Sequence, residues 1–194
     1  MPATPATPSG PAIPAIAAIP AEAIDWVERL HGVVDELVAP IAKGHGARLH
    51  CRSGCTDCCT DGLSVFAVEA ALIARHHGDL LAAGEPNAEG ACAFLDDAGA
   101  CRIYAQRPYV CRTQGLPLRW LEQDEEGPAE VRDICPLNLE GPALEELGAD
   151  ECWTLGPFEE RLGARQHAID GGKGERIALR SLFGGERRRL PIVT

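Results

Sequence analysis

Apolar side chains near the start of the chain follow a helical period. Over residues 22–39 they recur at three- and four-residue spacing, which predicts an amphipathic helix with one buried face. Pro40 and the pair Lys43-Gly44 are expected to end it. A second helix is predicted over about residues 67–81, with Ser64 as a cap near its start.

The rest of the chain has shorter apolar runs separated by turn residues. Residues 93–104 contain two extended segments around an Asp/Gly turn, which predicts a tight hairpin, and a second hairpin is expected within residues 116–134. Pro108 suits the first turn of a short helix that carries Cys111. Three more helices are predicted at about residues 142–147, 157–169 and 175–183. The pattern predicts a small, helix-rich α+β single domain with two short β-hairpins.

The first twenty residues do not share this periodicity. They contain six prolines and no Lys or Arg, so they offer neither the positive n-region nor the helical h-region of a signal peptide. We expect residues 1–20 to be a disordered Pro/Ala-rich arm and residues 21–194 to form the domain. No stretch approaches the roughly 18–20 apolar residues that span a membrane.

The formal net charge is −11, from 18 basic and 29 acidic side chains. This balance disfavours binding to nucleic acid or to an anionic membrane, because both are polyanions. Residues 161–194 hold eight basic and three acidic side chains, a net of +5, and are expected to pair mainly with the acidic body. An anionic protein partner remains the other interpretation of this basic end.

Nine cysteines in 194 residues are the most informative feature of the composition. A secreted disulfide framework is disfavoured by the odd number and by the neighbours Cys58 and Cys59, whose Cα atoms lie about 3.8 Å apart, below the usual disulfide range. Clustered cysteines without a signal peptide indicate metal or redox chemistry in a reducing compartment. The expected location is therefore cytoplasmic.

The tightest cluster lies in a Gly-containing loop and comprises Cys51, Cys55, Cys58 and Cys59. Thiolates at such spacing can surround one ion, and zinc and iron–sulfur clusters both take this ligand type. The side chains of the adjacent Cys58 and Cys59 diverge, so they are expected either to face two different metals or to share a polynuclear centre. Five more cysteines follow, at positions 92, 101, 111, 135 and 152.

Three segments of the sequence carry a family resemblance: CRSGCTDCC, then CAFLDDAGACRIYAQRPYVCR, then DICPLN. Together they resemble the YkgJ-type cysteine-cluster family, known as the zinc- or iron-chelating CxxCxxCC domain, which includes the flagellin N-methylase group. The resemblance spans about residues 48–137. The matching positions are Cys51, Cys55, Cys58, Cys59, Glu69, Cys92, Phe94, Leu95, Cys101, Ile103, Tyr104, Arg107, Pro108, Cys111, Arg112 and Cys135.

The resemblance implies metal chelation by eight cysteines, enough for two four-thiolate sites. The implied ligands are Cys51, Cys55, Cys58, Cys59, Cys92, Cys101, Cys111 and Cys135, and the implied cofactor is zinc or iron, including an iron–sulfur cluster. Arg107 and Arg112 are expected to donate N–H groups to ligand sulfur and to offset its negative charge. Cys152 has no counterpart in the family pattern. The gap between Cys51 and Cys55 is one residue longer than the family name implies.

Three functions stay open at this point. The first is a metal-binding protein with more than one ion. The second is an iron–sulfur-dependent oxidoreductase or a methylase-like modifying enzyme, although no nucleotide loop and no Ser/His/Asp arrangement accompanies the cysteines. The third is a zinc-stabilised module that binds a protein partner. A radical S-adenosylmethionine enzyme is disfavoured, because the β/α series that its fold needs does not follow the motif.

Overall fold

A computed structural model describes residues 19–124, 127–183 and 192–193 of the chain. Most of the predicted arm, residues 1–18, lies outside the described residues. Within them the chain forms four α-helices and three small sheets, which confirms the mixed α+β class. The helices are α1 (Ala21–Gly44), α2 (Ala67–Ala83), α3 (Tyr109–Thr113) and α4 (Pro157–Asp170). None of the described helices is long and apolar enough to cross a membrane.

The hydrophobic core forms mainly between α1 and α2. The buried face of α1 includes Ile24, Val27 and Val34, at the spacing that the sequence pattern indicated. The first half of α2 is buried, with Leu72 at its centre. Pro40 does not end α1, which continues to Gly44. Proline removes one backbone N–H, and the carbonyl left free lies on an exposed turn where water can bind it.

The strands form three separate small sheets. The strands are β1 (Ile19–Pro20), β2 (Ser64–Phe66), β3 (Leu118–Asp124), β4 (Gly127–Asp133), β5 (Trp153–Thr154), β6 (Arg176–Ala178) and β7 (Ile192–Val193). The antiparallel β3–β4 pair confirms the second hairpin, and β5 lies parallel to β3 on its other side. Strand β2 pairs antiparallel with β6, and β1 pairs parallel with β7.

A predicted helix and a predicted hairpin differ from the structure. The prediction of a helix over residues 175–183 is wrong, because Arg176–Ala178 is a strand and a 3₁₀ turn follows it over Leu179–Leu182. Ile177 is buried opposite Val65 of β2, so pairing between strands overrides the local helical spacing. The first hairpin is reduced to one antiparallel bridge between Leu95 and Cys101.

Two other helix predictions have different outcomes. The helix expected over residues 142–147 is a single 3₁₀ turn, Leu144–Glu146, between Pro- and Gly-containing loops. The helix expected over residues 157–169 is confirmed by α4, which has Pro157 in its first turn. Gly171 follows α4 in the left-handed conformation that commonly ends a helix.

A buried polar contact joins α4 to the start of α2. Gln166 is fully buried, and its Oε1 accepts a hydrogen bond from the backbone N of Val68 at 3.0 Å. Its Nε2 donates to Asp170 at 2.9 Å, and Asp170 also accepts hydrogen bonds from the backbone N–H groups of Lys173 and Glu175. These bonds satisfy a free N–H of the first turn of α2 and fix the turn that leads into β6.

Two residues of the predicted arm are described by the structure. Ile19 and Pro20, which the sequence assigned to the arm, form β1. The side chain of Ile19 is 1% exposed and belongs to the core cluster. Burial of an isoleucine side chain contributes about 1.5–3 kcal/mol, so Ile19 stabilises the core that it joins.

We expect Ile19→Ala to lower the free energy of unfolding by about 2–5 kcal/mol, because it leaves a cavity in the core. The control is Leu37→Ala in α1, where the side chain is 48% exposed. That change should stay within about 0.5 kcal/mol of the unchanged protein. Denaturant unfolding of both variants makes the measurement, and equal stabilities would contradict the burial of Ile19.

Hydrogen bonds from backbone N–H groups lower the pKa of Asp170 from 3.8 to about 2. The folded state therefore favours the carboxylate, and its contribution to stability is present above about pH 4 and is lost as the pH falls towards 2. We expect Asp170→Asn to be less stable at neutral pH and to lose less stability between pH 4 and pH 2. Unfolding curves across this range, with the exposed Asp79→Asn as a control, test both expectations.

Candidate metal centre

The cysteine loop, residues 51–60, connects α1 to the segment before β2 without regular secondary structure. Two tight turns shape it, with hydrogen bonds from Cys55 N to Arg52 O at 2.9 Å and from Cys59 N to Thr56 O at 2.8 Å. Cys51 and Cys58 are exposed, whereas Cys55 and Cys59 are partly buried. The loop therefore presents thiols towards both the solvent and the protein.

Asn138 attaches the beginning of the cysteine loop to a distant turn. Its side chain is fully buried; Oδ1 accepts from the backbone N of His50 at 2.8 Å, and Nδ2 donates to Gly115 O at 2.8 Å. The same Nδ2 lies 3.5 Å from the Sγ of Cys51. Its backbone N donates to Cys135 O at 2.7 Å. One side chain thus holds Cys51 close to the turn that carries Cys135.

Gly115 allows this approach for a steric reason. Its φ is +90°, a conformation that L side chains rarely adopt, and a Cβ at this position would overlap the Sγ of Cys51. The glycine after α3 therefore leaves the space in which the Cys51 sulfur lies.

The thiols around Cys51 also influence one another electrostatically. Burial raises the pKa of Cys51, the hydrogen bond from Asn138 lowers it, and nearby Cys55, Cys135 and Cys58 raise it further. Negative charge on a neighbouring thiolate disfavours another thiolate, which is the cause of these last three effects. We call Cys51, Cys55, Cys58 and Cys135 the outer group.

A second set of thiols gathers at the other end of the cysteine loop. Cys92 N donates to Cys59 O at 2.8 Å, and Thr60 forms an antiparallel bridge with Ala91. The bridge between Leu95 and Cys101 then returns the chain towards Cys92. Backbone contacts thus bring three cysteines from distant parts of the sequence to one region.

Cys111 on α3 completes this second set. Burial raises the pKa of Cys111 to about 12, and the charges of Cys92 and Cys101 add to the effect. Burial also raises the pKa of Cys101, while Arg107 and Arg102 act in the opposite direction. We call Cys59, Cys92, Cys101 and Cys111 the inner group.

The two groups meet at the adjacent cysteines of the loop. A hydrogen bond from the Cys59 thiol lowers the pKa of Cys58 to about 6, and as the donor Cys59 keeps its proton, so its own pKa is raised. Cys92 and Cys111 raise the pKa of Cys59 further. Cys58 influences both Cys51 and Cys111. Two adjacent residues of the loop, Cys58 and Cys59, therefore contribute one thiol to each group.

Arg180 holds the backbone around the inner group. Its guanidinium pairs with Asp61 at 2.8 Å and donates to the carbonyls of Asn87 at 2.6 Å and Ala91 at 2.9 Å. Asp61 follows the cysteine loop and Ala91 precedes Cys92, so one arginine joins the two segments. This pairing agrees with the expected role of the basic C-terminal region. No local sequence pattern marks Arg180 as an individual positioning residue.

Arg107 and Arg112 bind oxygen atoms, whereas the sequence predicted contacts to sulfur. Both guanidinium groups pair with Asp35 of α1, and Arg112 also donates to Ala105 O at 2.9 Å. The Arg107 guanidinium lies 4.3 Å from the ring centre of Tyr104. These contacts fix the segment before α3 against α1. Arg107 still lies near enough to Cys101 to lower its pKa.

Glu69, in the first turn of α2, positions α3. Its buried carboxylate accepts hydrogen bonds from the backbone N of Tyr109 at 2.8 Å and from His31 Nε2 at 3.1 Å. The first bond satisfies a free N–H at the start of α3. Cys111 lies two residues later, so this contact links α1 and α2 to the inner group.

Cys152 is separate from the other cysteines. It is 4% exposed and lies just before β5. Burial raises its pKa, and the charged groups that act on it include Arg132, Arg119 and Glu130. This environment is that of a buried small side chain.

The donor atoms fit a thiolate-bound metal. All nine cysteines are free, and eight of them divide into the outer and inner groups. In the described part of the chain, no three Cys, His, Asp or Glu side chains stand in an arrangement that could hold an ion as they are. Metal binding therefore requires the sulfur atoms of a group to close further around an ion.

A comparison with protein families identifies the cysteine-rich segment. Residues 50–136, somewhat less than half of the chain, match the CxxCxxCC family, described as "Putative zinc- or iron-chelating domain". This match confirms the resemblance to the CxxCxxCC domain that the cysteine pattern indicated for this segment. Searches of curated proteins and of solved structures give no match.

The contact between Gly115 and Cys51 can be tested with two alanine variants. We expect Gly115→Ala to lower both stability and metal content, because its Cβ displaces the Cys51 sulfur. Gly62→Ala is the matched control: Gly62 also has a positive φ, +78°, but no atom lies within 4 Å of its added Cβ. It should cost about 1–2 kcal/mol of backbone strain and keep its metal. Equal metal contents, measured by mass spectrometry, would contradict this role of Gly115.

Proposed function

We propose that this protein binds two thiolate-held metal centres, one in the outer group and one in the inner group, and that these centres hold its loop-rich half together. The main support for the proposal is that the two ends of the cysteine loop are bonded to different segments of the chain. Asn138 joins Cys51 to the turn of Cys135, whereas the backbone of Cys59 is bonded to Cys92. The two ends of the loop are thus bonded to different segments, and we assign Cys58 to the outer group and Cys59 to the inner group.

The ligand type restricts the metals that suit these groups. Four thiolates favour zinc or iron, as a single ion or an iron–sulfur cluster, over hard cations such as magnesium and calcium, which take oxygen ligands. Zinc with four thiolates carries a formal charge of −2, and Arg102 and Arg107 near Cys101 can offset part of this charge at the inner group.

The proposed role of the metals follows from where the groups lie. The inner group joins the cysteine loop, the segment of residues 92–101 and α3, which have few regular backbone hydrogen bonds of their own. A structural zinc site contributes about 10–16 kcal/mol of apparent binding free energy to folding, comparable to the net stability of a domain. Free thiols and metal ligation both suit a reducing compartment, so we also propose a cytoplasmic location.

Anaerobic purification followed by metal analysis and a visible spectrum tests the proposal and separates the metals. Zinc gives no visible absorption because its d shell is full, whereas iron–sulfur clusters absorb strongly. We expect zinc or iron to copurify with the chain. Protein that folds normally and contains neither metal would contradict the proposal.

Single cysteine variants test the division between the groups. We expect Cys58→Ser and Cys59→Ser each to lose about half of the bound metal, because each removes a ligand of one four-thiolate centre. The double variant should lose nearly all of it. Cys152→Ser is the control and should keep the full metal content.

Two outcomes would contradict this division. If Cys59→Ser alone released nearly all of the metal, the cysteines would share one polynuclear centre. If Cys152→Ser lowered the metal content as much as the other variants, the loss would report general destabilisation instead of ligand removal.

A further inference from the structure

The outer and inner groups differ in their access to solvent. Cys51 and Cys58 of the outer group are exposed. In the inner group all four cysteines are partly buried, and Cys92 and Cys101 pack against the hydrophobic core. Cys55 and Cys135 are partly buried, so a ligand from solution can reach the sulfur atoms of Cys51 and Cys58 first.

A cleft opens beside the outer group. It has a volume of about 520 Å³, and Cys55 forms part of its wall. The cysteine loop lines most of it, with His50 and Leu137 among the other lining residues. The side chains of Arg52 and Asp57 give the lining both charges. The cleft is large enough for a small charged molecule next to a metal ligand.

The inner group lies under contacts that oppose similar access. The Arg180 guanidinium joins Asp61, which follows Cys59, to Ala91, which precedes Cys92. Cys101 is also held by a backbone bridge to the buried Leu95. Opening the inner group requires these contacts and part of the core packing to break.

We propose that the outer group is an exchangeable metal site and that the inner group holds its metal permanently. This inference rests on the two-centre function proposed above. A small thiol in the cleft would replace the cysteines of the outer group one at a time. In each step one metal–cysteine bond breaks and one metal–thiol bond forms; the incoming thiol gives up its proton, and the released cysteine takes one from water. The oxidation state of the metal does not change.

The experiment follows metal loss from the purified full-length protein in excess EDTA, with and without reduced glutathione. Samples are desalted at intervals for metal analysis, and a parallel set is alkylated and fragmented for mass spectrometry. We expect about half of the metal to leave at least ten times faster than the rest, with glutathione accelerating the fast phase only. Cys51, Cys55, Cys58 and Cys135 should become alkylated in the fast phase.

Two variants assign the phases. Cys51→Ser should abolish the fast phase and leave the slow phase unchanged, whereas Cys152→Ser, the control, should behave like the unchanged protein. Because alkylation identifies the exposed ligands in the unchanged protein, the result does not depend on whether Cys51→Ser folds.

Each possible outcome decides a different point. A single phase, or alkylation of Cys101 and Cys111 before Cys51, would overturn the exchange proposal and leave the two-centre function intact. A fast phase that glutathione does not accelerate would overturn the proposal that a small thiol in the cleft replaces the cysteines. Protein isolated without zinc or iron would instead overturn the two-centre function itself.

Discussion

The adjacency of Cys58 and Cys59 constrains the rest of this structure. Their Cα atoms are about 3.8 Å apart and their thiols share a hydrogen bond, so the two proposed groups meet within one loop. The loop therefore needs anchors on both sides. Asn138 provides one beside Cys51, and the hydrogen bond between Cys92 N and Cys59 O provides the other.

The sequence predicted the elements whose signals are local. The spacing of apolar residues located α1, α2 and α4, Pro108 located α3, and the cysteine pattern indicated the family. The helix prediction for residues 175–183 was wrong. The few apolar residues of this segment fit a helix or a strand equally well, and pairing with β2 favours the strand. Asn138, Asp35 and Arg180 were missed because their partners lie far away in the sequence. No local pattern could identify those partners, although the Asn at the end of DICPLN lay within a matched segment.

The α1–α2 pair and the cysteine loop are stabilised by different kinds of interaction. The α1–α2 pair is held by apolar burial, and its helices satisfy their own backbone groups. The cysteine loop has little apolar surface and depends on charged and amide side chains from other elements. Asp35 links the segment around α3 to this helical pair, because it lies on α1 and pairs with the arginines on both sides of Pro108. The position of α3, and with it Cys111, is thus fixed by the helical core.

The polar anchors also explain how one metal could be exchanged without unfolding the chain. Asn138 bonds to His50 N and Gly115 O through amide groups that need no metal, so Cys51 stays near the turn of Cys135 when the outer group is empty. Anchors of this kind lower the entropy cost of rebinding, because the ligands are already close together. In the inner group Cys92 and Cys101 contact the core, so metal loss there disturbs apolar packing as well. In the proposed two-centre arrangement, metal binding to the inner group is therefore linked to folding more strongly than metal binding to the outer group.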